Sequence, residues 1–138
     1  MWWIYALLSA VFAALTAIFA KIGVENVNSN LATAIRTGVV LLMIWLIVIF
    51  RQEYKGIGEL SQRNWFFLGI SGLATGLSWI FYFKALQMGE VSKVAGIDKL
   101  SLALTVIFAV MFLGETLTWK TAAGAGFIII GTLFLIWK

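Results

Sequence analysis

Four ionisable residues lie inside long apolar stretches of this 138-residue chain: Arg36, Lys84, Asp98 and Lys99. A charge at the centre of a membrane-spanning helix costs roughly 2.5–3.5 kcal/mol, so such residues usually mark a solute pathway or an ion pair. Lys84 and Asp98 lie on either side of a short connection near Val91. A tight reversal there would place both about 10 Å from the turn. We therefore predict an ion pair, or a water-bridged pair, between Lys84 and Asp98.

The other two charges have different expected surroundings. Lys99 follows Asp98 directly and is rotated about 100° from it around a helix. Asp98 and Lys99 therefore cannot both face one partner, and one of them faces a cavity or a second subunit. A long basic side chain can instead extend to the lipid headgroups, and for Arg36 the sequence favours that alternative. A short carboxylate reaches less far, which makes Asp98 the candidate for coupling or substrate pairing.

Aromatic and hydroxyl side chains lie within two helical turns of these charges. Rings and small hydroxyls beside a charge suit an amphipathic organic solute. A ring of carboxylates or a filter of backbone carbonyls, which an ion channel would need, is not suggested by the pattern. The predicted cavity residues near the charges are Ser78, Trp79, Tyr82, Ser101 and Thr105.

The elements that carry these residues are five apolar runs joined by short loops. Each run is about 25–33 Å long as a helix, which matches the thickness of a bilayer. The chain is 62% apolar and 12% charged, too little polar surface for a water-soluble fold. We predict an all-α membrane protein that forms one domain, residues 1–138. Its five transmembrane helices are expected at about 2–20, 31–50, 65–86, 94–113 and 121–137.

Composition also excludes several classes of function. Ten basic residues face six acidic ones, but they are scattered singly between apolar runs and indicate headgroup anchors rather than nucleic-acid binding. Cysteine and histidine are both absent. The sequence therefore predicts no metal site, no cofactor and no nucleophile–base pair of an enzyme. The expected partners are membrane lipid and a small-molecule substrate.

Local signals mark the ends and contacts of the helices. The candidate N-caps are Asn28, Ser29 and Asn30 for the second span, Ser61 and Asn64 for the third and Thr118 for the fifth, and Gly114 is a candidate helix stop. Gly72 and Gly76 form a GxxxG step, which predicts close approach of a neighbouring backbone.

An odd number of spans places the two chain ends on opposite faces of the membrane. Basic residues in the loops and near the span ends divide four against four between the faces, or four against six when Arg36 and Lys99 are counted, so the positive-inside rule gives almost no orientation. Either the rule is too weak for so short a chain, or the chain inserts both ways. Dual insertion would give an antiparallel homodimer of ten helices, the inverted-repeat arrangement of many transporters.

The segment from Tyr82 to Lys120, YFKALQMGEVSKVAGIDKLSLALTVIFAVMFLGETLTWK, resembles EamA-type proteins of the drug/metabolite transporter superfamily. The matching pieces are FKALQMGE, DKLS and FLGETLT, and Arg36 in AIRTG matches an arginine typical of the second span. Members typically have ten spans in two inverted halves, and this chain resembles one half.

The resemblance implies secondary active export of small metabolites, amino acids or amphipathic drugs across the inner (cytoplasmic) membrane. It also implies a cavity lined by the first, third and fourth spans, which adds Ser9 and Thr16 to the candidates. Glu115, in the GE position, is either a gate or an interfacial residue. The alternative to transport is a scaffold, or the accessory half of a heterodimer with a related half-transporter.

Overall fold

A computed structural model describes residues 1–137 as helices joined by short connections, with no strand among them. Five segments are long and apolar enough to cross a membrane, the fourth being formed by α4 and α5 together. The prediction of an all-α membrane protein with five spans is therefore confirmed. The elements are α1 (Trp2–Gly23), α2 (Ser29–Phe50), a 3-10 helix (Glu53–Glu59), α3 (Gln62–Met88), α4 (Val91–Asp98), α5 (Leu100–Leu113) and α6 (Trp119–Ile136).

The expected caps at Asn28, Ser61 and Thr118 and the helix end at Gly114 are confirmed, whereas the candidates Ser29, Asn30 and Asn64 lie inside α2 and α3. Asn28 Oδ1 accepts hydrogen bonds from the backbone N–H groups of Asn30 and Leu31 at 2.9 and 3.3 Å. Thr118 Oγ1 accepts from the Thr121 N–H at 3.2 Å. Gly114 ends α5 in the left-handed conformation (φ 68°), where a residue without a Cβ is unstrained. These bonds satisfy backbone groups that a helix end otherwise leaves unpaired.

The fourth span contains one tighter turn at Lys99, within the helix that the sequence predicts over 94–113. The Lys99 N–H is shared between the carbonyls of Ala95 and Gly96, at 3.3 and 3.1 Å. The Leu102 N–H then bonds to the Lys99 carbonyl, three residues back, at 3.0 Å. This is the tighter 3-10 pattern, which often marks a functional hinge when it lies inside a span. Asp98 and Lys99 therefore lie at this 3-10 turn, where the backbone of Lys99 stays right-handed helical (φ -68°, ψ -13°).

Contacts divide the chain into two compact units. The first contains Met1–Phe19 and the chain from Met88 onward, and the second contains Ala20–Gln87. The boundary passes through α1, so its last turn belongs to the second unit. That residues 1–138 form one domain stays a prediction.

In the first unit, α4 packs closely on α6 at Gly96. A Cβ built on Gly96 would lie 2.8 Å from Leu135 Cδ1, so only glycine fits without movement of that leucine. Beside it, the buried Thr132 hydroxyl donates a hydrogen bond to the Gly96 carbonyl at 3.1 Å. The close approach expected at Gly72 and Gly76 is wrong within the described residues, since nothing there lies within 4 Å of either added Cβ.

Replacing Thr132 by valine should destabilise the protein by about 0.6–1.7 kcal/mol, the range measured for hydrogen bonds between membrane helices. Valine keeps the shape of threonine but cannot donate to the Gly96 carbonyl. Thr132→Ser is the matched control, because it keeps the hydroxyl. Unfolding in mixed SDS micelles measures both, and equal losses for the two variants would assign the effect to packing.

In the second unit, the end of α3 is tied to the segment that leads into α2. Lys21 Nζ donates to the Leu86 carbonyl at 2.6 Å, and Gln87 Nε2 donates to the Val27 carbonyl at 2.8 Å. Leu86 and Val24 are almost fully buried between these bonds. A cation at a helix C-terminus also interacts favourably with the helix dipole. These contacts place the C-terminal end of α3 level with the start of α2.

Candidate functional site

Arg36 of α2 lies against aromatic residues of α3. Its guanidinium carbon is 4.1 Å from the centroid of the Trp79 ring and 5.5 Å from that of Phe83. Tyr82 lies near enough to interact electrostatically with the same group. Phe83 is buried, and Arg36, Trp79 and Tyr82 are half-buried. We call these four residues the arginine–aromatic cluster.

The local sequence explains the shape of this cluster. Trp79 and Phe83 are four residues apart, so they lie one above the other on the same face of α3. Thr33 and Thr37 flank Arg36 on α2, but their hydroxyls donate to the carbonyls of Ser29 and Thr33, at 2.8 and 2.7 Å. These hydroxyls therefore serve their own helix, and the aromatic rings are the main contacts of the guanidinium.

The positive charge of Arg36 is only partly compensated. Stacking of a guanidinium on an aromatic face contributes about 2 kcal/mol when the pair is desolvated. Arg36 Nη1, however, is buried without a hydrogen-bond partner among the described residues. Leaving a buried donor unpaired costs about 1–3 kcal/mol, and more when it is charged. The sequence favours extension of this side chain to the headgroups, whereas the structure holds it against α3.

The charges of the fourth span lie in the first unit. Lys99 Nζ is 4.0 Å from Asp98 Oδ2, the outer limit of an ion pair, and both side chains are about half exposed. The two residues thus contact each other at the 3-10 turn of the fourth span. Lys84 is exposed on α3, in the second unit. Its predicted pairing with Asp98 stays a prediction.

The remaining predicted residues are distributed over both units. On α5, Ser101 and Thr105 are exposed, and the Thr105 hydroxyl donates to the Ser101 carbonyl at 2.8 Å. On α1, Ser9 is exposed and Thr16 half-buried, and Ser78 of α3 is exposed.

Glu115 follows Gly114, and its backbone N–H donates to the Ala109 carbonyl at 3.2 Å. Glu115 therefore helps to close the C-terminal end of α5, while its side chain is exposed. A role as a gate stays a prediction.

Sequence reasoning missed the arginine–aromatic cluster, although two signals for it were present. Neither α2 nor α3 contains an aspartate or glutamate that could pair with Arg36. Trp79 lies too deep for the interfacial belt in which most tryptophans of membrane proteins are found. An unpaired cation on one helix and a deep ring on its antiparallel neighbour together indicate a stacked pair.

Comparisons with known proteins agree with the five-span architecture. A model of the EamA-like transporter family matches residues 1–137. An uncharacterized transporter of a Sinorhizobium species, encoded in the cobO 3′ region, is 50% identical over 97% of this chain and 95% of its own length. An uncharacterized protein of Methanocaldococcus jannaschii is 32% identical over 96% of this chain and 93% of its own length. No solved structure matches the chain significantly.

Proposed function

Because the chain belongs to the EamA-like transporter family, we propose that it is a secondary active transporter that exports small metabolites, amino acids or amphipathic drugs. Membership of this family points to a multi-pass membrane transporter and not to an enzyme. The proposed location is the inner (cytoplasmic) membrane. The observation that carries the proposal is a family match over residues 1–137 of a chain with five spanning helices.

The transporter is proposed to work as an antiparallel homodimer. Five crossings are an odd number, so two oppositely inserted copies form ten helices related by an axis in the membrane plane. The basic residues in the loops give almost no orientation bias, which favours insertion both ways. Only 6% of the most apolar window of each spanning helix is buried within the chain, which leaves surface for a second copy as well as for lipid.

In this proposal the side chains predicted from the sequence divide into two roles. Asp98 takes up and releases a proton, or pairs with the substrate, and Lys84 or Lys99 tunes its charge. Its position at the 3-10 turn of the fourth span supports this role, because such a turn inside a helix often marks a functional hinge. The hydroxyl and aromatic residues of α1, α3 and α5 line the cavity.

Cysteine labelling in intact cells tests the arrangement, because the natural chain has no cysteine. Glu25 and Gly56 are exposed and lie in loops that a five-span chain places on opposite membrane faces. Dual insertion predicts that Glu25→Cys and Gly56→Cys are each labelled to about half by a membrane-impermeant maleimide, because half of the copies present each loop outside.

Permeabilised cells provide the control, since both cysteines should then be labelled completely. Complete labelling of one cysteine and none of the other in intact cells would reject dual insertion.

A second experiment tests the homodimer: cross-linking of the purified protein in mild detergent should yield a dimer. A persistent monomer would favour the heterodimeric half-transporter instead.

A further inference from the structure

We propose that the arginine–aromatic cluster binds the carboxylate of an organic anion, with the Arg36 guanidinium as the binding group. This inference rests on the proposed transport function and adds a substrate class to it: a solute with a carboxylate attached to an apolar or aromatic body. The cluster lies wholly within the second unit. None of the residues predicted for coupling is a member of the cluster.

The depth of the guanidinium is the first support. Val27 and Gln87 are hydrogen-bonded to each other, which sets the ends of α2 and α3 level. At about 1.5 Å per residue, Arg36 lies about 10 Å from the first residue of α2 and Trp79 about 13 Å from the last residue of α3. Phe83 lies nearer the end, yet the guanidinium carbon is closer to the Trp79 ring, at 4.1 against 5.5 Å. The guanidinium therefore points away from this end of the two helices, toward their middle.

The missing counter-ion is the second support. Ion pairs within residues 1–137 join Arg51 to Glu53, Lys93 to Glu90 and Lys99 to Asp98, and none includes Arg36. Since α2 and α3 carry no acidic residue, these two helices offer no carboxylate to Arg36. Intramembrane charges almost always have a partner or line a pathway. An anion from outside the protein supplies the negative charge that these helices lack.

The geometry of the cluster favours a carboxylate over a neutral polar group. A guanidinium stacked on a ring still presents N–H donors along its edge, and that planar edge matches the two oxygens of a carboxylate. Trp79, which is half-buried, offers apolar area beside the guanidinium for the body of the solute.

The enclosed Nη1 implies that binding moves the side chain. No solvent reaches this nitrogen in the structure, and it has no partner among the described residues. It gains a hydrogen bond only when the guanidinium turns so that Nη1 faces the bound oxygen. Anion binding is therefore linked to a change in the contact between Arg36 and Trp79.

Thermal unfolding of the purified protein in mild detergent tests the inference, with benzoate as the probe and benzamide as its neutral isostere. A ligand that binds only the folded state stabilises it by RT ln(1 + [L]/Kd), so the unfolding midpoint rises with ligand concentration and more so for a tighter ligand. Benzoate should raise the midpoint of the natural protein, and benzamide should not. Arg36→Gln should weaken benzoate binding at least about tenfold, because a hydrogen bond to a charged group is lost. Arg36→Lys should retain part of the effect.

Arg63→Gln is the matched control. Arg63 also lies near an aromatic ring, 5.8 Å from the Phe67 centroid, but it is exposed at the start of α3. This variant should keep the full benzoate response. An equal response to benzamide in the natural protein overturns the inference without any variant, and so does an undiminished benzoate response in Arg36→Gln.

The outcomes also separate this inference from the proposed transport. Benzoate binding through Arg36, combined with no solute flux in proteoliposomes, would contradict transport and leave the anion site standing. Flux without Arg36-dependent benzoate binding would support transport and contradict the anion site.

Discussion

Proteoliposomes that contain Asp98→Asn should show no accumulation of radiolabelled hippurate, an aromatic carboxylate, in response to a pH gradient, whereas the natural protein should accumulate it. Asparagine has nearly the same shape as aspartate but cannot bind and release a proton. If Asp98 is the coupling group, its substitution removes the link between the gradient and the solute. The loss of pH-driven accumulation should be complete. The side chain that pairs with Asp98 is Lys99, and a lysine cannot supply the missing carboxylate.

The matched control for this experiment is Glu90→Gln. Glu90 is an exposed carboxylate that precedes α4 and pairs with Lys93 at 3.1 Å, outside the predicted cavity. Its substitution should leave hippurate accumulation unchanged. Membrane insertion of both variants must match that of the natural protein, as measured by the amount recovered in the membrane fraction. Unchanged pH dependence in Asp98→Asn would assign coupling to another group.

Gly96→Val should destabilise the folded protein by about 1–3 kcal/mol, the usual cost of adding methyl groups to a well-packed contact. The Cβ alone would lie 2.8 Å from Leu135 Cδ1. Because that atom is the end of a flexible side chain, Gly96→Ala needs only a small movement and should cost less. The two further carbons of valine require α4 and α6 to separate, which also lengthens the hydrogen bond from Thr132 to the Gly96 carbonyl.

Two further variants show whether the contact between Gly96 and Leu135 causes the loss of stability in Gly96→Val. Gly131→Val changes an exposed helical glycine of α6 that has nothing within 4 Å of its added Cβ, so it should have little effect. Leu135→Ala removes the obstructing methyl group and should restore part of the stability when combined with Gly96→Val. Unfolding in mixed SDS micelles measures the stability of Gly96→Val, of Gly131→Val and of the double variant. Equal destabilisation by Gly96→Val and Gly131→Val would contradict the packing argument.

The family and the spanning architecture were predictable because both depend on patterns that repeat along the chain. A run of apolar residues about as long as the bilayer is thick has few alternatives to a helix, since every backbone group must be paired inside the segment. Caps at Asn28 and Thr118 were predictable for a similar reason, since each side chain bonds to backbone only two or three residues away.

Contacts between distant parts of the chain were not predictable in this way. Gly72 and Gly76 have the pattern of a packing face, but the close approach occurs at Gly96, which belongs to no such motif. The sequence also favours an interfacial position for Arg36, whereas the structure stacks it on Trp79, 43 residues away. In each case the outcome depends on which side chains of another helix occupy the same depth.

The sequence by itself determined five membrane-crossing helices, their capped ends and the family, because hydropathy, local hydrogen bonding and motif order are properties of the chain alone. Only the tertiary structure decided that α6 covers Gly96 and that Arg36 lies against aromatic rings, with no acidic partner among the described residues. Both features are contacts between two helices that are distant in the sequence. No single segment of sequence therefore contains both partners of either contact.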